Sequence, residues 1–340
     1  MRKALQLDVA GRRLFGTLHD HDSSPPSQAG RPYQRIGILL LSFGQQPRSW
    51  VGDLGSSIAD RLEARGYPTF RFDMPGLGDS PGDIPVHLEE LWRDIQLGAH
   101  ERPLLDLCEQ LARRFSLKGL VVGGFCGGAV TALLTVNARP PLLLGLALLE
   151  PDLALARTSF PSAATASAPM TVDSFLESVD LLWVRLRSSG SWRRLFTGKA
   201  DFNFWLKLWY GLLDYAARRL TTVGRRTKSL PHETNHRMFN SWHLARRLRL
   251  PTLVISDGSQ NRSKYYRAYG LQPGVSDAKS ALQWVEIPNT THAMLTGGAK
   301  HAVGNHFENW VTTNFPLAPS EPLGNLPVCF GDRDPTTIAE

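Results

Sequence analysis

Short apolar runs alternate with amphipathic stretches over the first 150 residues of the chain. Runs that are apolar at nearly every position are typical of strands covered on both faces of a sheet. Four such strands are predicted, at Ile36–Ser42, Pro68–Asp73, Leu117–Gly123 and Leu142–Leu149. Between them, helical spacing covers Trp50–Ala64, Val86–Phe115 with a break near Pro103, and Gly127–Asn137. This alternation predicts an α/β fold with a mostly parallel sheet wrapped by helices.

The pattern differs at both ends and is interrupted in the middle. Ala4–Val9 and Arg13–Leu18 predict an opening hairpin. No convincing strand occurs in 151–250; afterwards Thr252–Ser256 and Gln283–Ile287 predict strands and Ala299–Asn314 a helix. We therefore expect a core made of 1–150 and 251–315, a helical lid at 151–250 and a tail at 316–340. The lid is inserted between the strand ending near Glu150 and the strand starting near Thr252.

Composition narrows the class of protein. The 340 residues are 42% hydrophobic and 20% charged, which excludes a disordered chain, a collagen and a coiled coil. No apolar run is long enough to span a membrane, and no signal peptide is evident. The three cysteines, Cys108, Cys126 and Cys329, suit neither a disulfide framework nor a zinc site. We expect a soluble protein of the reducing cytoplasm, without metal or cofactor.

The positive charge is concentrated in one segment. Residues 152–250 contain 16 Lys and Arg against 7 Asp and Glu, whereas the rest of the chain has 22 against 24. No nucleic-acid-binding motif accompanies this excess, so we expect no nucleic-acid partner. An acidic protein or another anionic surface would be attracted equally well.

A candidate nucleophile lies between a predicted strand and a predicted helix. Gly124-Phe-Cys126-Gly-Gly128 fits the G-x-nucleophile-x-G elbow, with cysteine in the place of the usual serine. A thiol at a helix N-terminus is favoured as the thiolate by the helix dipole. The alternative is a buried structural cysteine, which is the interpretation that we give to Cys108 on its apolar helical face.

The elbow also predicts an oxyanion hole. The backbone N–H of Gly127, directly after the nucleophile, is the first expected donor. The second should come from the turn after the first core strand, Ser42-Phe43-Gly44-Gln45, where we select the N–H of Phe43 or Gly44. The alternative is that this turn is only a connecting loop.

The general base should be a histidine on the loop after the last strand. His292 has this position, whereas His301 and His306 fall in the following helix. Two carboxylates could orient it. Asp257 directly follows Thr252–Ser256, and Glu150 ends an apolar strand, where a charge is costly unless it has a partner. Both keep the order nucleophile, acid, histidine, so the acid stays open.

These residues give the chain a resemblance to the α/β-hydrolase superfamily over about Ile36 to Asn314. Besides the elbow and His292, Asp73-Met-Pro-Gly76-Leu-Gly78-Asp-Ser80 resembles the superfamily's D-x-x-G-x-G-x-S turn, an architectural element. More narrowly, the G-x-C-x-G-A elbow and the Arg-Phe-Asp strand end resemble those of exosortase-associated hydrolases. The resemblance implies an α/β-hydrolase fold with a Cys-His-acid triad.

The chain departs from the superfamily pattern at two places. Ser42-Phe43 replaces the usual His-Gly after the first core strand, and the usual position of the acid is displaced. Some haloalkane dehalogenases of the same superfamily carry the acid at the end of the strand where Glu150 falls. That similarity favours Glu150 over Asp257.

The predicted lid contains a cluster of aromatic residues. Phe202, Trp205 and Trp209 recur at helical spacing and predict either ordinary packing of the lid on the core or an apolar pocket above Cys126. Paired arginines surround them in sequence, at 193–194, 218–219, 225–226 and 246–247. Such pairs are usually a solvated face, and the functional alternative is a docking surface for an acidic carrier protein or coenzyme A.

Two hypotheses about function follow. The first is an acyl-transfer enzyme, a thioesterase, acyltransferase or cyclase, that works through a thioester on Cys126 with an acyl or ester small-molecule substrate. A simple ester or lactone hydrolase is its alternative. The second is a catalytically silent hydrolase fold that binds a ligand under its lid. No motif identifies the substrate, the acceptor or the oligomeric state.

Overall fold

One sheet of eight strands organises the residues that the computed structural model describes, which are 1–21, 35–42, 46–152, 235–258, 271 and 281–317. The strands are β1 (Arg2–Val9), β2 (Arg12–His19), β3 (Arg35–Leu41), β4 (Thr69–Phe72), β5 (Leu117–Phe125), β6 (Leu143–Leu149), β7 (Thr252–Asp257) and β8 (Leu282–Ile287). They lie in the order β1-β2-β4-β3-β5-β6-β7-β8. β2 is antiparallel to both β1 and β4, and the other neighbours are parallel.

Helices cover both faces of this sheet. They are α1 (Leu54–Ala64), α2 (Leu88–Leu97), α3 (Glu101–Arg114), α4 (Gly127–Leu134), α5 (His236–Arg247) and α6 (Gly297–Asn314), with single 3₁₀ turns at Val51–Asp53 and Thr135–Ala138. α1 packs with α6, whereas α2, α3 and α5 pack around α4. No helix within the described ranges is long and apolar enough to cross a membrane.

The apolar runs of the sequence arise because the central strands are buried on both faces. Along β3, Leu39 and Leu41 join the core cluster under α2 to α5, and Ile38 and Leu40 join the cluster under α1 and α6. Successive side chains of a strand point to opposite faces, so a strand buried on both sides needs apolar residues throughout. The predicted parallel sheet between two helical layers is confirmed.

The long helix predicted at Val86–Phe115 is two helices, and the break lies earlier than expected. α2 ends at Gly98, which has a left-handed φ of 96° that glycine adopts at little cost. Pro103 is the third residue of α3, in the first turn. Backbone N–H groups there have no acceptor within the helix, so the proline loses no helical hydrogen bond. The glycine therefore ends one helix, and the proline is accommodated within the next.

Only the two ends of the predicted lid segment, 151–152 and 235–250, fall within the described residues. α5 packs against α4, and Met238, Phe239 and Trp242 of α5 belong to the same core cluster as the central strands. Residues 153–234, most of the predicted lid, lie outside the described residues, as do 22–34 and 318–340. The lid and the tail therefore stay predictions.

Candidate active site

Cys126 lies at the sharp turn between β5 and α4. Its N–H donates to the carbonyl of Leu149 at 2.8 Å, and its own carbonyl accepts from Val130 at 3.0 Å as the helix begins. Between these two bonds its backbone takes φ 50° and ψ −110°, a conformation rare outside glycine. Backbone strain of this kind at a strand-to-helix turn is typical of a nucleophile elbow.

The glycines on either side of Cys126 are required by space. A Cβ on Gly124 would lie 2.5 Å from the carbonyl oxygen of Gly128, and a Cβ on Gly128 would lie 2.5 Å from the carbonyl oxygen of Ser42. Real Cβ atoms do not approach backbone so closely. The elbow therefore folds against itself and against the end of β3, as the sequence motif predicts.

Glu150 follows β6 directly and is completely buried. Its N–H donates to the carbonyl of Ile255 at 2.9 Å, and its backbone is left-handed with a φ of 48°. Its Oε1 accepts the backbone N–H of Asp257. A carboxylate without solvent needs such partners, because an uncompensated buried charge is strongly disfavoured.

His292 lies against the second oxygen of that carboxylate. Its Nδ1 is 3.2 Å from Oε2 of Glu150, and its ring is 5.6 Å from the ring of Phe125, the residue before Cys126. With Nδ1 donating to the carboxylate, the neutral ring has Nε2 as its proton acceptor. Of the two candidate acids, Glu150 has the hydrogen bond to the histidine, and Asp257 supports Glu150 through its main chain.

The predicted oxyanion donors are only partly described. Gly127 is the first residue of α4, where N–H groups have no acceptor within the helix. Phe43 and Gly44 lie outside the described residues. The flanks of their turn are described: Leu41 ends β3, and its carbonyl accepts from Nε1 of Trp50 at 2.7 Å.

Two residues near the site were missed by the sequence analysis. Trp50 is buried, has a positive φ of 62° and stacks edge-on against Phe125 at 5.8 Å. Arg48 donates from its backbone and its side chain to Asp73. The D-x-x-G-x-G-x-S motif could have drawn attention to Asp73, but no local pattern indicates that Arg48 would be its partner.

One group in the described part of the chain has the residue types of a metal site, but its atoms are already engaged. His19, Asp60 and Glu63 place potential ligand atoms within 4.8 Å of one another. Nδ1 of His19 bonds Asp60 at 2.8 Å, and its Nε2 accepts from Arg71 at 3.0 Å. Both carboxylates pair with cations, Asp60 with Arg2 and Glu63 with the amino group of Met1. This is an ion-pair network at the amino end of β4, away from Cys126.

Comparison with known proteins agrees with this architecture. The model of the alpha/beta hydrolase family matches residues 38–302. The chain belongs to the α/β hydrolase family. No curated protein matches it in sequence.

Several solved structures share the α/β hydrolase fold of this chain at low sequence identity. DcsB in complex with its substrate analogue has a TM-score of 0.53 at 13% identity, with 92% of this chain and 100% of that chain covered. Est1E from Butyrivibrio proteoclasticus, with ferulic acid bound, has a TM-score of 0.51 at 12% identity, covering 92% and 99%. The haloalkane dehalogenase DatA from Agrobacterium tumefaciens C58 has a TM-score of 0.50 at 14% identity, covering 92% and 97%.

Of the remaining predicted residues of this α/β hydrolase, only one arginine pair falls within the described ranges. Phe202, Trp205 and Trp209 lie outside the described residues, as do three of the four arginine pairs. The fourth pair, Arg246 and Arg247, is in the last turn of α5, just before β7 begins. It therefore lies towards the amino ends of the parallel strands, whereas Cys126 lies at their carboxyl ends.

Proposed function

We propose that this α/β hydrolase transfers acyl groups through a thioester on Cys126. The observation that carries the proposal is the pairing of Glu150 with His292 at the carboxyl edge of the sheet, beside a cysteine in a strained elbow. In this proposal Cys126 is the nucleophile, His292 the general base, and Glu150 the acid that orients the histidine. The narrower resemblance to exosortase-associated hydrolases, which rests on the cysteine elbow, supports the same assignment.

The first half of the reaction forms the acyl-enzyme. Nε2 of His292 takes the proton from Sγ of Cys126, and the thiolate attacks the acyl carbonyl carbon, forming a C–S bond. The carbonyl oxygen becomes an oxyanion, which the N–H of Gly127 and an N–H of Phe43 or Gly44 would stabilise. Collapse of this intermediate breaks the bond to the leaving group, which takes its proton from the imidazolium.

The second half transfers the acyl group to an acceptor. Water, an amine, an alcohol or another thiol gives its proton to Nε2 and attacks the thioester carbonyl, and Cys126 leaves as the thiolate and recovers the proton. Glu150 stabilises the imidazolium in both halves, because its charge faces Nδ1. With water as the acceptor, the protein is an ester or thioester hydrolase, which the hydrolase family favours equally.

The acyl substrate in this proposal is either free or presented by an acidic carrier protein or coenzyme A. The excess of positive charge in 152–250 supports an anionic carrier through its sign. Reversing Arg225 and Arg226 to Glu should raise KM for a carrier-bound substrate and leave a small free thioester unaffected, because rim charges act mainly on encounter. Equal losses for both substrates would assign the two arginines to the stability of the fold instead.

Intact-protein mass spectrometry after rapid acid quenching tests the proposed chemistry. Incubation with a panel of acyl thioesters and activated esters should add one acyl mass to the wild-type protein and none to Cys126→Ala. Cys108→Ala is the matched control and should still be acylated, since Cys108 lies in α3, outside the elbow. A folded wild-type protein that accumulates no adduct and turns over no substrate in the panel would favour the catalytically silent alternative.

A further inference from the structure

The hydrogen bond to Glu150 restrains one atom of the His292 ring. Nδ1 lies 3.2 Å from Oε2, at the long end of the usual range for such a bond. A single bond of this kind leaves the imidazole able to turn about the line that joins the two atoms, and this motion displaces Nε2. General base catalysis needs Nε2 within hydrogen-bond distance of the proton that it takes. A well-placed base therefore needs a second contact that holds the plane of the ring.

The main chain at His292 is held in a tight turn. The N–H of Met294 donates to the carbonyl of Thr291 at 2.8 Å, so the turn encloses His292. Met294 is completely buried, in the same core cluster as Phe125 and Cys126. With its backbone fixed in this way, His292 can move mainly by rotation of its side chain, of which 26% is exposed.

Phe125 provides a second contact to the imidazole. The centroids of the two rings are 5.6 Å apart, and the ring planes are tilted by 54°. This separation is within the range of about 4.5–7 Å over which aromatic rings pack favourably. Phe125 is fully buried as the last residue of β5, directly before Cys126. The nucleophile of the proposed reaction and the aromatic contact of its base are therefore adjacent in the chain.

The ring of Phe125 is itself held in place. Trp50, which is only 2% exposed, packs edge-on against it with the centroids 5.8 Å apart. Nε1 of Trp50 donates to the carbonyl of Leu41 at 2.7 Å, at the end of the neighbouring strand β3. The indole is therefore anchored to the sheet, and it restricts rotation of the phenyl ring beside His292.

The two groups that contact His292 come from neighbouring positions of the sheet. Phe125 is in register with Leu149 of β6, and Glu150 is the next residue. The N–H of Cys126 donates to the carbonyl of Leu149 at 2.8 Å. This hydrogen bond joins the end of β5 to the end of β6, so the main chains at Phe125, Cys126 and Glu150 are fixed relative to one another.

We propose that Phe125 is a positioning residue for acyl transfer, whose ring packs against His292 and keeps Nδ1 on Glu150 while Nε2 serves the thiol. This inference rests on the proposed function. Phe125 contacts no reacting atom in it and acts only through the histidine. Its contribution should therefore vanish when the imidazole is removed.

A double-mutant cycle separates this role from general support of the elbow. Phe125→Leu removes the ring and keeps a bulky apolar side chain. We expect it to lower kcat/KM for an activated ester about 100-fold, the size of loss that a misplacement of about 1 Å causes. In the His292→Ala background, which has no imidazole to position, the same change should alter kcat/KM by less than about 3-fold.

Val121→Ala is the matched control. Val121 is fully buried in the same core cluster and faces the same side of β5, four residues and about 13 Å before Phe125. Although it also loses buried apolar atoms, this variant should retain kcat/KM within about 3-fold of wild type. Phe125→Tyr keeps the ring and should stay within about 10-fold. Circular dichroism and thermal melting establish that each variant is folded, and Phe125→Met replaces Phe125→Leu if the latter does not fold.

The position of the His292 proton can be followed without any acyl transfer. Above about pH 8, where free histidine is neutral, long-range ¹H–¹⁵N spectra of the wild-type protein should show the proton on Nδ1, facing Glu150. In Phe125→Leu the ring is less restrained, and the tautomer with the proton on Nε2 should become populated. His292→Ala identifies the signal by its loss. These spectra decide the question if His292→Ala has no measurable turnover.

Four outcomes would overturn the inference. Normal kcat/KM in folded Phe125→Leu, or a tautomer that this change leaves unaltered, would overturn it and leave the proposed function intact. An equal loss from Phe125→Leu with and without the imidazole would also overturn it, because the ring would then support the elbow itself. A wild-type protein without any acyl transfer would overturn the proposed function and this inference together.

Discussion

Oε2 of Glu150 lies 3.2 Å from Nδ1 of His292, although 142 positions separate the two residues along the chain. The sheet produces this contact, because Glu150 directly follows β6, His292 follows β8, and β7 lies between these two strands. β7 holds both the main chain and the side chain of Glu150. The carbonyl of Ile255 accepts its N–H, and the N–H of Asp257 donates to its carboxylate.

Glu150→Gln should therefore reduce acyl transfer far more than Asp257→Asn. Glutamine has nearly the same shape and keeps an acceptor for the N–H of Asp257, but it cannot stabilise the imidazolium of His292 by charge. We expect kcat to fall by at least about 100-fold, in the lower part of the range known for triad acids, since a thiol depends less on its base than a hydroxyl.

Asp257→Asn keeps the backbone N–H that contacts Glu150, so its kcat should stay within about 10-fold of wild type. Steady-state kinetics on one activated ester, with both variants at the same pH, makes the comparison. A larger loss in Asp257→Asn than in Glu150→Gln would assign the acid to Asp257.

Cys126 should be alkylated much faster than Cys108 in the folded protein. Burial raises the pKa of the Cys108 thiol to about 12, so almost none of it is thiolate near neutral pH. Cys126 lies at the N-terminus of α4, where the helix dipole favours an anion. We expect a difference of at least about 100-fold at pH 7.5.

Peptide mapping after timed exposure to iodoacetamide measures both rates in one sample. The same mapping in concentrated urea is the control, because the two cysteines should then react alike. Equal rates in the native protein would contradict a reactive thiol at the elbow.

Gly128→Ala should be strongly destabilising, and Gly298→Ala should not. A Cβ on Gly128 would lie 2.5 Å from the carbonyl of Ser42, backbone that cannot move without shifting β3, whereas a Cβ on Gly298 meets nothing within 4 Å. We expect Gly128→Ala to lower the free energy of unfolding by about 1–3 kcal/mol or more. In the first turn of α6, Gly298→Ala should raise it by about 0.5 kcal/mol. Urea unfolding followed by circular dichroism measures both, and equal effects of the two variants would contradict the packing of the elbow.

Stability should fall on mild acidification because two histidines are buried without their charge. Burial lowers the pKa of His100 to about 4, and no hydrogen-bond partner from the described residues contacts either of its ring nitrogens. Burial, with the charge of Arg71 as the next cause, lowers the pKa of His19 to about 4. In the unfolded chain both histidines titrate near the ordinary value of about 6.5.

Between about pH 6.5 and pH 4 the unfolded chain therefore binds more protons than the folded protein, and the free energy of unfolding decreases as the pH falls. Each histidine contributes up to about 1.4 kcal/mol per pH unit over this window. Urea unfolding at several pH values measures the slope. His100→Leu should reduce it by about one histidine's share, while substitution of the exposed His301 by Gln should leave it unchanged. An unaltered slope in His100→Leu would contradict the burial of an uncharged ring.

The fold could be predicted from the sequence where the residues of a single strand are enough to indicate it. β3, β5 and β6 are apolar at nearly every position because both of their faces are covered, and the elbow is recognisable because two of its glycines are sterically required. The sequence predicts the helix break near Pro103, whereas the structure has it at Gly98, because a proline in the first turn of a helix has no helical N–H bond to lose.

The relationships between distant segments could not be read in this way. Glu150 directly follows an apolar strand and Asp257 ends one. Which of them meets His292 depends on the pairing of β6 with β7 and on the course of the chain after β8. Arg48 is likewise an isolated basic residue in the sequence. Its side chain forms an ion pair with the buried Asp73, which is 25 positions away in the sequence.

The chain leaves the sheet at Pro151, immediately after Glu150, and β7 returns beside β6 about a hundred residues later. A cut in this connection would separate two fragments, one with Cys126 and Glu150 and the other with His292. Neither fragment alone would contain all three residues of the proposed triad, and mixing them could bring those residues together only if β6 and β7 paired again in register. The proposed acyl transfer would then report on the reassembly of the two halves, and the protein would serve as a split-protein sensor whose signal is catalytic.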